Sequence, residues 1–357
     1  MTFLDFKNYP LWINIMVFAL SAGVVWFAGT RLSRYADTIS RQTGIGQAMI
    51  GLLLVGGITS LPEIAVTGTS AFTGNAALAV NNVLGGVAMQ VVILAAADAA
   101  IGRDALTRVV ADPMLLLQGA LCAMLLTFVA AAVIVGDVLF FGIGAWSWSI
   151  LAVFLVSLRM ISKSQGRYPW HPDGKGWHQH PGEKQQSVQE GRRKSDDDHK
   201  PPLGRTIAKT IAVGAAILVA GFFTSRTADS FAEQTGLGAS FVGAALLPIS
   251  TSLPELSTVL GAVRLRSYGL AVSEIFGTNL FDVAIVFWID AVYQGGPVLN
   301  EVGKFSTFGA LLGIFLTMLY LAGLIERRDR TILRMGIDSL VVLVAYPGGL
   351  ILLYQFR

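Results

Sequence analysis

Two glutamates, Glu63 and Glu255, each end a Thr-Ser-Leu-Pro-Glu stretch in the middle of a long apolar run. Proline cannot donate a backbone hydrogen bond, so each copy leaves a carbonyl oxygen free beside the acid and the two hydroxyls. A charged side chain at the centre of a membrane costs about 2.5–3.5 kcal/mol. This combination occurs twice, which predicts one cation site shared between two halves of the chain.

The oxygen atoms around the two glutamates suit hard cations. The hydroxyls belong to Thr59, Ser60, Thr251 and Ser252. Na⁺ and Ca²⁺ accept flexible shells made only of oxygen, whereas Mg²⁺ loses its water reluctantly. The apolar runs hold no histidine, and their single cysteine, Cys122, is interpreted as a small core residue, which argues against zinc or copper.

A third acid, Asp282, lies on one helix face with Glu274 and Thr278, at spacings of four residues. Glu274 is interpreted as a cation-attracting mouth residue, a proton carrier, or a buried acid that is hydrogen-bonded inside the bundle. The corresponding positions of the first half carry neutral groups: Asn82, Gly86 and Gln90.

Glu63, Glu255 and Asp282 together would cost on the order of 8–10 kcal/mol if nothing compensated their charges. No Lys or Arg lies at a matching depth in any apolar run. A bound cation or protons must therefore compensate them. The alternative is that these are structural acids, hydrogen-bonded within the helix bundle.

The composition identifies the chain as a membrane protein. Its 357 residues are 54% hydrophobic and only 14% charged, against about 25% charged in soluble domains. The formal charge of +3 is no argument for a nucleic-acid partner, and a single cysteine excludes a disulfide framework or a cysteine metal site. The expected partners are the lipid bilayer and transported cations, and no obligate protein partner is implied.

The acids must be positioned by membrane-spanning helices, because the apolar runs are continuous rather than alternating. The predicted fold is all-α and polytopic. The second and seventh spans carry Gly and Pro at their centres and are predicted to be broken helices. The ten spans cover about 10–30, 44–70, 76–99, 112–134, 138–160, 205–225, 236–262, 268–292, 304–324 and 333–354.

An internal repeat relates the two glutamates by a constant offset of 192 positions, which holds without a gap from about residue 28 to residue 98. Each half has five spans, an odd number, so the second half must enter the membrane from the opposite side. This predicts an inverted-topology repeat, which is typical of secondary transporters. The predicted parts are a first five-helix repeat (1–161), a hydrophilic loop (162–204) and a second five-helix repeat (205–357).

The hydrophilic loop is too polar to fold alone and is predicted to be flexible. It holds all four histidines, at a spacing that matches no closed metal site. Lys and Arg are concentrated in the loops on its side of the membrane, which predicts that it is cytoplasmic and that both termini lie outside. The expected location is the cell (inner) membrane.

Two inverted halves with a Thr-Ser-Leu-Pro-Glu core resemble the sodium/calcium exchanger family of the cation/Ca²⁺ antiporter superfamily. The resemblance implies that the broken helices and the third and eighth helices line the ion sites, and that a sliding helix pair switches access. It implies side-chain ligands from the two glutamates, the four hydroxyls, Thr278 and Asp282. It also implies backbone-carbonyl ligands at Gly56 and Pro248.

The chain departs from the family pattern at four positions. Gly86 lacks the usual hydroxyl, and Gln90 replaces a shorter Asn. Pro248 replaces a small residue, and Glu274 replaces an Asn. Across the expected pseudo-twofold axis, Gly86 and Gln90 face Thr278 and Asp282. These departures leave a divalent site intact and leave the coupling ion open.

The leading hypothesis is an antiporter that exchanges Ca²⁺ for Na⁺ by alternating access around Glu63 and Glu255. H⁺ coupling through Glu274, a cation channel and a scaffold that has lost transport are the alternatives. An enzyme is not expected, since the spans hold no nucleophile–base pair or HExxH pattern. No cofactor is expected beyond the transported Ca²⁺, Na⁺ or H⁺.

Overall fold

The computed structural model describes residues 6–43, 60–101, 106–110, 113–164, 202–264, 268–326, 331–332 and 335–356. The described chain is helical, with two short hairpins. The helices of the first half are α1 (Leu11–Thr43), α2 (Leu61–Phe72), α3 (Ala76–Ile101), α4 (Pro113–Val135) and α5 (Ala145–Ser164). Those of the second half are α6 (Leu203–Thr235), α7 (Ala239–Thr251), α8 (Leu253–Arg264), α9 (Tyr268–Val292), α10 (Lys304–Glu326) and α11 (Ile337–Gln355).

Eight of the described helices are long and apolar enough to cross a membrane, and the bent pair α7–α8 makes a ninth span. The predicted all-α membrane class is therefore confirmed. The predicted second span is described only from Ser60 onward, where α2 follows. Its earlier part, with Gly56 and Thr59, lies outside the described residues.

The seventh span bends by 47° between α7 and α8. A π-helical turn, Val242–Leu246, precedes the bend, and Ser252 separates the two helices. Pro254 has no N–H to continue the helical hydrogen bonds, so the chain starts a new helix here. The bend brings Thr251, Ser252 and Glu255 to the junction of two helix ends.

The predicted starts of the fifth and tenth spans, at 138 and 333, were wrong, since α5 begins at Ala145 and α11 at Ile337. A two-stranded hairpin precedes each helix. The first pairs β1 (Leu139–Phe140) with β2 (Ile143–Gly144), and the second pairs β3 (Thr331–Ile332) with β4 (Met335–Gly336).

The two halves correspond element by element. Displaced by the 192 positions that separate Gln90 from Asp282, every described helix of the first half coincides with one of the second, to within one residue at each end. The counterparts are α1 and α6, α2 and α8, α3 and α9, α4 and α10, and α5 and α11. The hairpins correspond in the same way.

The core of the molecule surrounds α3 and α9. The membrane-crossing window of α3 is 83% buried within the protein, against 22% for α1 and 28% for α6. Helices α1 and α6 pack on each other at the periphery. The acids of α9 therefore lie inside the helix bundle, while the α1–α6 pair has large surfaces turned toward lipid.

Asp98 and Asp290 tie the halves together at the ends of α3 and α9. Asp98 accepts hydrogen bonds from Leu106 N (2.5 Å) and Gly336 N (2.7 Å). Asp290 accepts the counterpart bonds from Val298 N (2.8 Å) and Gly144 N (2.9 Å). Each aspartate thus holds a hairpin of the opposite half and has a structural role.

Candidate cation-binding site

Glu63 and Glu255 lie in the first turns of α2 and α8, and each is only 1% exposed. The N-terminus of a helix carries partial positive charge, which favours an anion there. All four carboxylate oxygens of the two residues are buried and accept no hydrogen bond among the described residues. Thr251 lies beside Glu63, but its hydroxyl donates to Leu247 O (3.3 Å).

Asp282 of α9 differs from the two glutamates, because both of its oxygens accept hydrogen bonds. Ser60 Oγ donates to Oδ1 at 2.7 Å, and Gln90 Nε2 donates to Oδ2 at 2.8 Å. Ser60 occupies the position before α2, where serine commonly caps the helix, yet its side chain makes no cap bond. Its hydroxyl is therefore free to reach α9.

The three carboxylates lie within electrostatic range of one another. Glu63 interacts with Glu255 and Asp282, and Glu255 interacts with Asp282 and Glu274. Among the described residues, no Lys, Arg or His forms an ion pair with any of them. The ion pairs found there join Lys7 to Asp229 and Glu233. Uncompensated charges this deep require protons or bound cations.

The described residues contain no group of three or more Asp, Glu, His or Cys side chains that converge closely enough to hold one metal ion. Neutral oxygens also lie at this site. Two such oxygens, Ser252 Oγ and Gln90 Oε1, are buried and have no hydrogen-bond partner in the described structure. Both are hard ligands of the kind that Ca²⁺ and Na⁺ accept.

The other predicted ligands lie near these helices with different degrees of burial. Thr278 lies one turn before Asp282 and is 3% exposed. The carbonyl of Pro248, a predicted ligand, accepts a hydrogen bond from Ser252 N (2.9 Å). Glu274 lies two turns before Asp282, is half-buried, and has Thr258 beside it. Thr59 and Gly56 lie outside the described residues.

Residues at equivalent positions of the two halves meet where α3 and α9 cross. Gln90 contacts its counterpart Asp282, and Asn279 Nδ2 donates to O of its counterpart Val87 at 3.4 Å. Contact between counterparts occurs only at the axis that relates two halves. The constant offset of 192 predicted that Gln90 faces Asp282, and the hydrogen bond confirms it.

Sequence reasoning missed the Ser60–Asp282 hydrogen bond. It also missed that the side chain of Asn82 has no hydrogen-bond partner among the described residues. Ser60 was assigned as a cation ligand rather than as a donor to Asp282. Asn82 is fully buried, and neither its Nδ2 nor its Oδ1 has a partner among the described residues. Asn82 is the counterpart of Glu274, so the repeat was the signal that could have placed it beside the site.

Helices α1 and α6 approach the short helices through equivalent glycines. A Cβ on Gly29 would lie 2.3 Å from Pro254 Cγ, and a Cβ on Gly221 would lie 2.5 Å from Ala65 Cβ. Such distances exclude any larger residue. Pro254 is the second residue of α8, whereas Ala65 is the fifth residue of α2. The two contacts therefore differ by three residues, or about 4.5 Å along the helix axis.

Polar contacts close the α2–α6 interface. Ser70 Oγ and Ser225 Oγ are 2.8 Å apart, and Asn75 Nδ2 donates to Asp229 Oδ1 at 2.6 Å. On the α1–α8 side the counterpart of Ser70 is Ala262, which has no hydroxyl. The two interfaces are therefore not equivalent, although the helices that form them are.

A family model described as "Sodium/calcium exchanger protein" matches residues 13–161 and 206–355 of the chain. The inner membrane protein YrbG of Escherichia coli is 26% identical over 281 residues, which cover 77% of this chain and 78% of YrbG. The putative antiporter CaxA of Alkalimonas amylolytica is 25% identical, over 93% of this chain and 95% of CaxA.

Two solved structures share the fold. The crystal structure of the H⁺/Ca²⁺ exchanger CAX superposes with a TM-score of 0.62 at 14% identity, covering 98% of this chain and 91% of that one. A structure of the sodium-calcium exchanger NCX_Mj superposes with a TM-score of 0.56 at 16% identity, covering 95% and 98%.

Proposed function

The chain belongs to the sodium/calcium exchanger protein family, and we propose that it is a secondary active antiporter that exchanges Ca²⁺ for Na⁺ across a membrane. The observation that carries this proposal is the pair Glu63 and Glu255, whose carboxylate oxygens are buried without hydrogen-bond donors among the described residues. Two buried negative charges match one divalent cation. They also match two monovalent ions that replace it.

Glu63 and Glu255 bind the transported ion directly. Neutral oxygens complete its shell, and the burial of those that the structure describes supports them. They are assigned to the hydroxyls of Thr59, Ser60, Thr251, Ser252 and Thr278, the side-chain oxygen of Gln90, and the backbone carbonyls of Gly56 and Pro248. Asp282 adds a third negative charge, which favours a cation over a neutral solute at this depth.

Transport proceeds by alternating access in a fold of ten helices with inverted topology and with breaks in the second and seventh spans. The element-by-element correspondence of the described helices supports this architecture. The 47° bend supports the break in the seventh span. The contact between Gln90 and its counterpart Asp282 supports a site on the pseudo-twofold axis.

A second candidate keeps the fold and the Ca²⁺ site but couples transport to H⁺. One observation favours it. Gly86 supplies no hydroxyl, and Gln90 turns its amide nitrogen, a donor, toward Asp282. Na⁺ needs oxygen ligands, so the missing hydroxyl at Gly86 removes one potential Na⁺ contact, whereas a proton needs only a carboxylate.

The purified full chain in proteoliposomes, with ⁴⁵Ca²⁺ outside, tests both candidates. An outward Na⁺ gradient, an outward H⁺ gradient without Na⁺, and an outward K⁺ gradient are imposed separately. Saturable uptake with Na⁺ alone supports the first candidate, and uptake with H⁺ alone supports the second. If none of the three gradients drives Ca²⁺ uptake, antiport is contradicted. Continuous single-channel currents would identify the protein as a channel instead.

A further inference from the structure

We infer that Asp137 and Asp290 form a second cation site, at the end of the bundle that is predicted to face outward, and that this site takes Ca²⁺ from the outer solution. Asp137 lies between α4 and β1, and Asp290 lies near the end of α9, about two turns beyond Asp282. The site is therefore separate from Glu63 and Glu255, and the inference does not depend on which ions the protein transports.

The two carboxylates face each other beside Gly144. A Cβ on Gly144 would lie 2.1 Å from Asp137 Oδ2 and 2.8 Å from Asp290 Oδ2, so the two oxygens are no farther apart than the sum of these distances. Two oxygens that bind one Ca²⁺ ion, each at about 2.3–2.6 Å, are separated by at most about 5 Å. The positions of the two aspartates therefore allow both to bind the same ion.

The two oxygens of Asp137 have different surroundings. Oδ1 accepts hydrogen bonds from Val138 N (2.8 Å) and Trp146 N (3.1 Å). Oδ2, which faces Asp290, is buried and accepts no hydrogen bond among the described residues, and the whole residue is only 8% exposed. In the same part of the chain, neither aspartate forms an ion pair with Lys, Arg or His. Two buried negative charges this close need a positive charge between them.

Hydrogen bonds hold both aspartates in place without using all of their oxygen lone pairs. Asn300 fixes the backbone of Asp137, since its Oδ1 accepts from Asp137 N (2.7 Å) and its Nδ2 donates to Asp137 O (2.8 Å). Asp290 accepts one hydrogen bond on each oxygen, from Val298 N and Gly144 N. Each carboxylate oxygen has two lone pairs, so both oxygens of Asp290 can still bind an ion. The pair is therefore preorganised for a cation.

The internal repeat contains this aspartate twice, in different sequence surroundings. At the offset that relates the two halves, Asp137 corresponds to Asp329, which lies outside the described residues, and Asn300 corresponds to Arg108. The sequence neighbours of Asp329 and their uncharged counterparts beside Asp137 are Arg327 and Val135, Arg328 and Gly136, and Arg330 and Val138. The second copy thus has cationic residues of its own where the first has none. This difference supports a positive charge from solution at Asp137.

The ligand atoms favour Ca²⁺ among the cations of the outer solution. Both are carboxylate oxygens, which are hard ligands, and two negative charges match one divalent ion. Water completes the shell of an ion that is held by so few protein ligands. Extracellular Ca²⁺ modules bind with dissociation constants of about 10⁻⁴–10⁻³ M, and we expect an affinity in this range. The bound ion would tie the segment between α4 and α5 to the end of α9.

The test uses Tb³⁺, which replaces Ca²⁺ at oxygen sites and emits when a nearby indole absorbs the exciting light. Trp146 can sensitise it, because its backbone N donates to Asp137 Oδ1 and its indole Nε1 donates to Gly136 O, both at 3.1 Å. The full chain is studied in detergent at neutral pH as the double variant Glu63→Gln with Glu255→Gln, which removes two carboxylates of the proposed transport site. Tb³⁺ emission is expected, and added Ca²⁺ should displace it.

Asp137→Asn, added to the double variant, tests the ligand. Asparagine keeps an oxygen for the N–H groups of Val138 and Trp146 but has no charge, so the emission is expected to fall at least tenfold. Asp329→Asn, the same change at the counterpart position, is the matched control and should keep the emission. Trp146→Phe should also remove the emission, because it removes the indole and leaves both aspartates in place.

Emission of equal strength with and without Asp137→Asn would overturn the inference. If the Asp137→Asn protein does not fold, Trp146→Phe still decides, since unchanged emission in that variant would place the ion elsewhere and overturn the inference too.

A second measurement needs no Tb³⁺. Ca²⁺ at millimolar concentration should raise the melting temperature of the double variant by several degrees, and Asp137→Asn should abolish that shift. A shift of the same size in both proteins would contradict the site. A proton shared by the two aspartates would give neither Tb³⁺ emission nor a response to Ca²⁺, and that result would also overturn the inference.

Discussion

Glu63 and Glu255 occupy equivalent positions in the first turns of α2 and α8, and both side chains are buried. In the proposed site each provides one of the two charges that match a divalent cation. Asp282, at the same depth, is held by donors from the other half. Three acids that look alike in the sequence thus differ in their hydrogen-bond partners.

Glu63→Gln and Glu255→Gln are each expected to lower the rate of gradient-driven ⁴⁵Ca²⁺ uptake at least 100-fold. Glutamine keeps the size of the side chain but removes one of the two charges that hold Ca²⁺. Glu301→Gln, a change at an exposed acid outside the spans, is the matched control and should transport normally. Wild-type uptake in either buried variant would remove the basis of the proposed site.

Ser60 and Ser252 offer a second matched pair. Ser60→Ala removes a donor from the buried Asp282 and is expected to cost about 1.5–3 kcal/mol of stability, seen as a lower melting temperature in Ca²⁺-free detergent. Ser252→Ala removes a hydroxyl without a partner among the described residues, so the melting temperature should hardly change. Its Ca²⁺ affinity should fall instead. Equal losses of stability in the two variants would contradict the assignment.

At the scale of elements, apolar runs predicted the bounds of α3, α4, α9 and α10 well, because these helices are buried or lipid-facing along their whole length. The starts of α5 and α11 were missed since the first hairpin is itself apolar, and hydropathy cannot separate a strand from the helix that follows. Gly136 and Gly142, both with positive φ, were the turn signals that could have separated them.

The site shows the same limit. Glu63, Glu255 and Asp282 are visible in the sequence because acids in apolar runs are rare. The Ser60–Asp282 bond is not visible, since it depends on how α2 packs against α9. The Gln90–Asp282 contact could be predicted only because residues related by the repeat can meet at its axis.

We propose that α6 moves relative to α2 during alternating access, and the 2.8 Å contact between Ser70 and Ser225 allows that movement to be blocked. In a Cys122→Ala background, Ser70→Cys with Ser225→Cys is expected to form a disulfide on oxidation. Ca²⁺ uptake should then fall at least tenfold, and a reductant should restore it.

Ser70→Cys alone, treated with the same oxidant, is the control and should keep its rate. A cross-linked protein that transports as fast as the reduced one would show that α2 and α6 do not separate during transport.

At the scale of the whole molecule, the two halves contact each other where α3 and α9 cross and at the ends of these two helices. The orientation in the membrane follows from the distribution of Lys and Arg. We propose that the chain lies in the cell (inner) membrane with both termini outside and with the loop 162–204 in the cytoplasm.

Single cysteines in the Cys122→Ala background test this orientation. Lys7→Cys and Glu301→Cys are expected to react with a membrane-impermeant maleimide on intact cells. Ser187→Cys, in the loop, should react only after the cells are permeabilised. Labelling of Ser187→Cys in intact cells would reverse the proposed topology.

The aspartates that hold the opposite hairpins have a consequence for biosynthesis. The carboxylate of Asp98 has both of its hydrogen bonds only when Gly336 N, 238 residues later in the chain, donates to it. At a synthesis rate of about 5–20 residues per second, that donor reaches the ribosome about 10–50 s after Asp98 does. During this interval Oδ2 of Asp98, at the end of α3, lacks the donor that it has in the native structure. We therefore expect the newly made first half to depend on the insertion machinery, and the two halves to reach the native state together.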